Sequence, residues 1–569
     1  MKRKKPVRKR ATRTSPRQTW VEAALGKRSC DVIFRNATYF DVFSCQWIRG
    51  DVAVYDGRVV ALDTGLKAGR EIDIKGKAIV PGFIDAHVHV ESSMMTPLGF
   101  QRAVLPCGTT TAICDPHELA NVQGVPGIRY FLDAASEMVL DLRVMLSSCV
   151  PATDFETNGA GHLPASRLVP LRRHKKALGL AEMMNVPGVL HGDKEVWQKL
   201  AAFEGAVVDG HCPLLRGQAL SAYAAAGISS CHESTEPDEA AEKLTKGLAV
   251  WIREGSVAKD LAALAPLLTL ASSARIGFCT DDRNPLDIAV EGHIDHLVRS
   301  SIRKGVPMEA AYRAASWTVA RHYGLNDRGA IAPGYRADLV VLGDRKTCAI
   351  EDVWIGGARV AELDLPSAPL RKYTNSIRAR VPAPADLEGV QGRVHVMTVE
   401  RGKIITGRQI SRHDASGIAR LSVLERYGHR RAPANAYVSG FGIGLRGAIA
   451  SSVGHDSHNL IVVGTDTRDM AVALASLIEC GGGYCVASGG SVKERLALPL
   501  GGLMSDADAV TLRKALTRLH EASRAIGCEL PEPFLQLAFL SLPVIPSLKL
   551  TDRGLVDVDA FKIIGVSAA

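Results

Sequence analysis

Between residues 79 and 330 one pattern recurs: a short apolar run, a helical stretch, then another apolar run. Strand-like runs cover 78–84, 110–114, 142–149, 178–180, 207–209, 227–231 and 275–279. Helical stretches lie between them, among them the alanine-rich 218–226 and the longer 238–254. Repeated β-then-α units over about 250 residues suit a (β/α)8 TIM-like barrel, which makes 79–330 the expected catalytic domain.

The flanks read differently. Short strands are expected at 31–34, 51–55, 58–63 and 71–74, punctuated by turns such as Asp56-Gly57. The same pattern returns at 338–342 and 353–360, so 31–78 and 331–368 are expected to build one small β-domain around the barrel. Residues 369–569 mix strands (460–463, 483–487) with helices (469–478, 506–526) and form an expected α+β C-terminal domain. At 569 residues the chain is too long for one hydrophobic core.

Charge narrows the classes of function. Residues 1–17 hold nine Lys or Arg and no acid; without them, 60 basic residues balance 60 acidic ones. A neutral body argues against nucleic acid as a partner. Residues 1–30 read as a basic, disordered tail. No apolar stretch reaches the ~20 residues a membrane helix needs, and no apolar segment follows the basic N-terminus as in a secretory signal. The 12 cysteines include no Cys-x-x-Cys pair, which suits reduced thiols in the cytoplasm.

Several strand ends carry metal-ligand residue types. The first leads to His87 and His89, two residues apart and so on one face of an extended chain. Later ones lead to Glu182, His211, His232 and Asp281 with Asp282. Singly, each has a dull explanation: a solvated turn, a satisfied core histidine, a helix cap. Four histidines and two carboxylates at successive strand ends are harder to assign to chance. Imidazole with carboxylate suits Mn²⁺, Fe²⁺ or Zn²⁺. Six ligands exceed a mononuclear catalytic site, so two divalent ions with a bridging carboxylate are expected.

Pro81-Gly82-Phe83-Ile84-Asp85-Ala86-His87-Val88-His89 resembles the opening motif of the amidohydrolase superfamily, and the flanking β-pieces resemble its small β-sandwich. The continuation 90–97 is similar to the adenine deaminase family. So are 115–118 (Asp-Pro-His-Glu), 181–185, 210–213, 231–234, 280–283, 447–452, 455–459 and 542–546. The resemblance covers about residues 30 to 565. It implies two divalent metals, usually manganese or iron, and hydrolytic deamination of adenine to hypoxanthine in purine salvage. Where many amidohydrolases carry a carboxylated lysine, this chain carries Glu182.

On this reading His87, His89 and Asp281 hold one ion, His211 and His232 the other, and Glu182 bridges. Asp281 takes a proton from the activated hydroxide and passes it on. Glu233 is expected to hydrogen-bond a ring nitrogen or supply a second proton, and Asp282 to read N7–H or orient Asp281. Glu91 and Ser92 are expected to line the purine pocket. His117 and Glu118 read either as support for the ligands or as a further metal position. Gly442-Ile443-Gly444-Leu445-Arg446-Gly447 fits a dinucleotide fingerprint, but its helix would break at Gly454. His455 and His458 offer metal-ligand nitrogens, but are assigned to turn hydrogen bonds unless their domain packs over the barrel mouth. The competing readings are an amidohydrolase acting on another purine, a pterin or a cyclic amide, and a non-catalytic purine or nucleic-acid binder using the tail. The expected partner is a small purine, adenine. No membrane partner is expected, and a homodimer is left open.

Overall fold

The computed structural model describes residues 15–366, 375–429 and 432–568; the first 14 residues of the expected tail lie outside them. Eight parallel strands form the centre: β1 (Phe83–Val88), β2 (Thr109–Cys114), β3 (Asp141–Leu146), β4 (Ala177–Met183), β5 (Val207–Gly210), β6 (Ser230–Cys231), β7 (Ala249–Arg253) and β8 (Ile276–Cys279). β1 to β5 pair in order, as do β6 to β8. Two seams close the ring. Ser229 N–H donates to the Val208 carbonyl at 3.0 Å. At the other seam Asp281 N–H donates to the His87 carbonyl at 3.0 Å, and His89 N–H donates to the Asp281 carbonyl at 3.1 Å. Barrel closure therefore sets Asp281 between the two histidines.

Side chains from six strands meet in one apolar cluster, including Ile84, Ala86, Ile113, Met145, Ala181 and Trp251. Ile84 and Ala86 face this core, so strict alternation would turn His87 away from it. A register break between Asp85 and Val88 resets the phase, and the next residues turn inward at the barrel mouth.

Two sequence expectations need correction here. The apolar run 78–84 is not one strand. Ala78–Pro81 pairs antiparallel with Leu339–Asp344, Val80 opposite Val340, while β1 starts at Phe83. Gly82 is the break, and a Cβ there would lie 2.2 Å from Thr110 Oγ1. Nor is 238–254 one helix. The helix ends at Thr245, Gly247 turns the chain at φ +87°, and the β-branched and aromatic run Ala249–Arg253 becomes β7.

The small β-domain is a sheet of eight strands drawn from both flanks, with Cys30–Asp41 and Gln46–Tyr55 paired at its centre. Part of the segment expected to be disordered has regular structure. Pro16–Ala24 is helical, and Ala23, with Trp20, packs on Ile33, Ala53 and Val60.

In the C-terminal unit, eight strands between Arg393 and Ala497 form one sheet, which packs on the helix Thr467–Cys480. The glycine-rich 442–447 opens into the strand Ala448–Ser451, not into a phosphate-binding helix. A second part of this unit reaches the barrel mouth, where Leu535, Phe539, Leu542 and Ile545 pack with Val257.

Thr110 is β-branched and buried, so it cannot yield to a new methyl group. Gly82→Ala is therefore expected to cost about 1–3 kcal/mol through overpacking. Thermal unfolding of Gly82→Ala, Thr110→Gly and the double variant checks this. The double should be more stable than the sum of the singles predicts; strict additivity would contradict the contact.

Candidate metal centre

Glu182 lies at the C-terminal end of β4, 2% exposed, and five imidazoles surround it. His211 Nδ1 is 2.7 Å from Oε2 and His232 Nε2 is 3.4 Å from the same oxygen. Oε1 lies 3.4 Å from His89 Nε2, 3.4 Å from His117 Nδ1 and 3.7 Å from His87 Nε2. Asp281 closes the opposite side, its Oδ1 at 3.1 Å from His89 Nε2 and 3.5 Å from His87 Nε2. Isolated charges in so dry a place are costly, so this array requires compensation.

The donor set fits a cation. His89 Nδ1 lies 3.0 Å from the Asp115 carbonyl, which can only accept, so Nδ1 carries the proton and Nε2 the lone pair. That lone pair faces His87 Nε2 at 3.0 Å and two carboxylate oxygens. A proton or a metal ion between them relieves the repulsion. A histidine fixed at one nitrogen by a carbonyl is also how ligand imidazoles are oriented. His87, His89 and Glu182 offer three atoms mutually within 4.8 Å, as do Glu182, His211 and His232, and also His87, His232 and Asp281. His232 thus touches both expected sets, and its ring stacks on His87 with centroids 4.0 Å apart.

Electrostatics match. Burial opposes a charged His89, yet Asp281 and Glu182 hold it well above its ordinary value. Burial would raise Glu182, but His211, His232 and His89 hold it well below the usual carboxylate range. Burial would raise Asp281 too, and His87, His89 and Arg253 outweigh it.

Arg253, at the end of β7, was not singled out in the sequence. Its guanidinium is 2% exposed and meets three acids. Nη1 donates to Glu233 Oε1 and, at 3.0 Å, to Asp281 Oδ2; Nε donates to Asp260 Oδ2 at 3.0 Å. Asp281 therefore turns one oxygen to the imidazoles and the other to a fixed positive charge. The signal was hidden because 249–253 read as helix.

The remaining expected site residues divide. Glu233 Oε1 lies 3.6 Å from His232 Nε2 and lines the cavity beside the cluster, as does Asp282. Ser92 does not line it; its hydroxyl donates to Asp282 Oδ1. Glu91 is also outside it, buried, with Oε1 accepting the Leu119 N–H at 3.1 Å. His117 joins the centre, its Nδ1 3.1 Å from Asp115 Oδ2, while Glu118 faces His455 and His458. The small cavity over the cluster shares Met184, His211, Glu233, Ile404 and Ile545 with a larger, mostly apolar one of about 260 Å³. Val544, Pro546 and Phe561 of the C-terminal unit wall the larger cavity. A flat apolar heterocycle with a few polar edges suits such a space.

Residues 78–360 match the amidohydrolase family, and 395–562 match the adenine deaminase C-terminal domain. Among curated relatives, adenine deaminase from Methylobacterium nodulans is 52% identical over 95% of this chain and 98% of its own length. Adenine deaminase 1 from Rhizobium etli is 48% identical over 97% of this chain and all of its own. Adenine deaminase from Cereibacter sphaeroides is 50% identical over 96% of this chain and 98% of its own.

Removing the guanidinium leaves Glu233, Asp260 and Asp281 buried without their counter-charge. Arg253→Met is expected to cost about 3–5 kcal/mol, and Arg253→Lys less, as read from thermal unfolding of the metal-loaded protein. A midpoint unchanged in Arg253→Met would contradict the clamp.

Proposed function

The chain belongs to the adenine deaminase family of the amidohydrolase superfamily, and on that premise we propose how its residues divide the work. The reaction is hydrolytic: adenine and water give hypoxanthine and ammonia. Convergence of five imidazoles on one buried carboxylate, Glu182, is the observation that carries the reading.

Two divalent cations, manganese or iron in preference to zinc, suit this donor set. His87, His89 and Asp281 would hold one, His211 and His232 the other, with Glu182 between them. When bound, such a pair supplies the Lewis acidity that ionises water near neutral pH.

The chain's own groups do the rest. Asp281 accepts the two protons of the attacking water in turn at its carboxylate, delivering one to the purine ring nitrogen and the other to the departing amine. Arg253 keeps that carboxylate oriented by holding Oδ2. Glu233, fixed by the same guanidinium, hydrogen-bonds a purine ring nitrogen from the cavity wall. Asp282, fixed by the Ser92 hydroxyl, reads the N7 edge. The apolar walls, Ile404 and Ile545 among them, stack on the ring and exclude bulk water. Glu91 serves the site from behind by holding the Leu119 N–H. The setting proposed is purine salvage in the cytoplasm; among the described residues no helix is long and apolar enough to cross a membrane.

Ammonia release from adenine, guanine and hydantoin by the metal-loaded protein tests the reading. Adenine should be the preferred substrate, chelation should abolish the rate, and Mn²⁺ or Fe²⁺ should restore it. Turnover of guanine or hydantoin but not adenine would overturn it. Glu182→Gln should lose metal and at least about 100-fold in kcat/KM together; full metal content with near wild-type turnover would contradict the bridging role.

A further inference from the structure

The loop from Ser452 to Asn459 of the C-terminal unit is buried along its whole length, and the chemistry above leaves it unused. It enters the barrel side of the molecule, where Asn459 Nδ2 donates to the Thr157 carbonyl at 2.9 Å. His455 stands within it. Its backbone N–H donates to the Ala538 carbonyl at 3.1 Å. Its ring stacks on Phe539, centroids 4.7 Å apart and planes 13° apart. Ring Nδ1 lies 2.5 Å from Glu118 Oε1.

Glu118 is pinned from both sides. His458 Nδ1 accepts the Gly454 N–H at 3.3 Å, so in the neutral ring Nε2 carries the proton, and that nitrogen lies in close contact with the other Glu118 oxygen. Glu118 therefore fixes the orientation of His455 through Nδ1. Among the described residues His455 Nε2, like both Glu118 oxygens, His458 Nε2 and Asp456 Oδ2, is buried and makes no hydrogen bond; the Glu118 oxygens and His458 Nε2 have each other as opposite charges, whereas His455 Nε2 has none beside it. Buried polar atoms of this kind are rare and call for an explanation. His455 lines the same small cavity as His89, Asp281 and Asp282.

We propose that His455 is a catalytic residue: through Nε2 it hydrogen-bonds an acceptor nitrogen of the purine, with Glu118 as its positioning residue. The proposal rests on the adenine deaminase reading of the site. A donor at a ring nitrogen draws electron density from C6 as water adds there, so the contact strengthens toward the transition state. Electrostatics favour the donor form. Burial opposes the charge, but Glu118, backed by Asp282 and Asp456, pushes His455 up to about 9. The C-terminal unit then supplies part of the catalytic constellation as well as its cover.

The test compares His455→Gln, His455→Ala and Glu118→Gln with wild type, all loaded with Mn²⁺ and assayed for ammonia release from adenine. His455→Gln should lose about 100-fold in kcat/KM, mostly in kcat, while metal content and thermal midpoint stay at wild-type values. Added imidazole should restore part of the His455→Ala rate, and Glu118→Gln should lose less than His455→Gln. Turnover of His455→Gln within about threefold of wild type would overturn the proposal. So would loss of metal in parallel with rate, which makes the ring a ligand, or a failure of imidazole to rescue. A wild-type enzyme that releases no ammonia from adenine would overturn the parent reading instead.

Discussion

A carboxylate buried among five imidazoles is stable only if positive charge is held with it. That constraint organises the rest of the protein. Glu182 sits where burial would neutralise it, yet His211, His232 and His89 keep it ionised. The barrel is what makes the arrangement affordable. The candidate ligands come from the C-terminal ends of five strands or the residues just beyond them, His87 and His89 sharing β1, so their backbone is largely fixed and their side chains arrive with little further ordering. The β1–β8 seam adds Asp281 to the His87–His89 pair through two backbone hydrogen bonds.

The outer layers serve the same focus. Arg253 offsets the acidic side that the imidazoles do not reach, gripping Glu233, Asp260 and Asp281 at once. The C-terminal unit closes the mouth with apolar side chains and brings His455 against the barrel's buried Glu118. Water exclusion matters physically here, because charge interactions gain strength as the local dielectric falls. The small β-domain is tied to the barrel through Ala78–Pro81, one residue before β1, so its packing also bears on where His87 begins.

Much of this was legible in the residues. A short apolar run followed by His, Glu or Asp has few readings in a β/α repeat, and His87, His89, Glu182, His211, His232 and Asp281 do meet within one centre. Other features were masked by local ambiguity. Val250-Trp251-Ile252 follows a helix with only Lys246-Gly247 as punctuation, so β7 and Arg253 were absorbed into that helix. The break at Gly82 depends on Thr110 lying against it, a contact that periodicity does not carry. Glu91 resembled a pocket residue because it follows the histidines, but it lies outside the cavities that adjoin the cluster and its Oε1 accepts the Leu119 N–H. The meeting of His455 with Glu118 joins distant parts of the chain, and only the docking of the C-terminal unit reveals it.

Anomalous diffraction at the manganese edge, from crystals of the Mn²⁺-loaded protein, tests the central claim most directly. The account predicts two peaks flanking Glu182, one bounded by His87, His89 and Asp281 and the other by His211 and His232. A map with no anomalous density beside Glu182, from protein that still deaminates adenine, would contradict it.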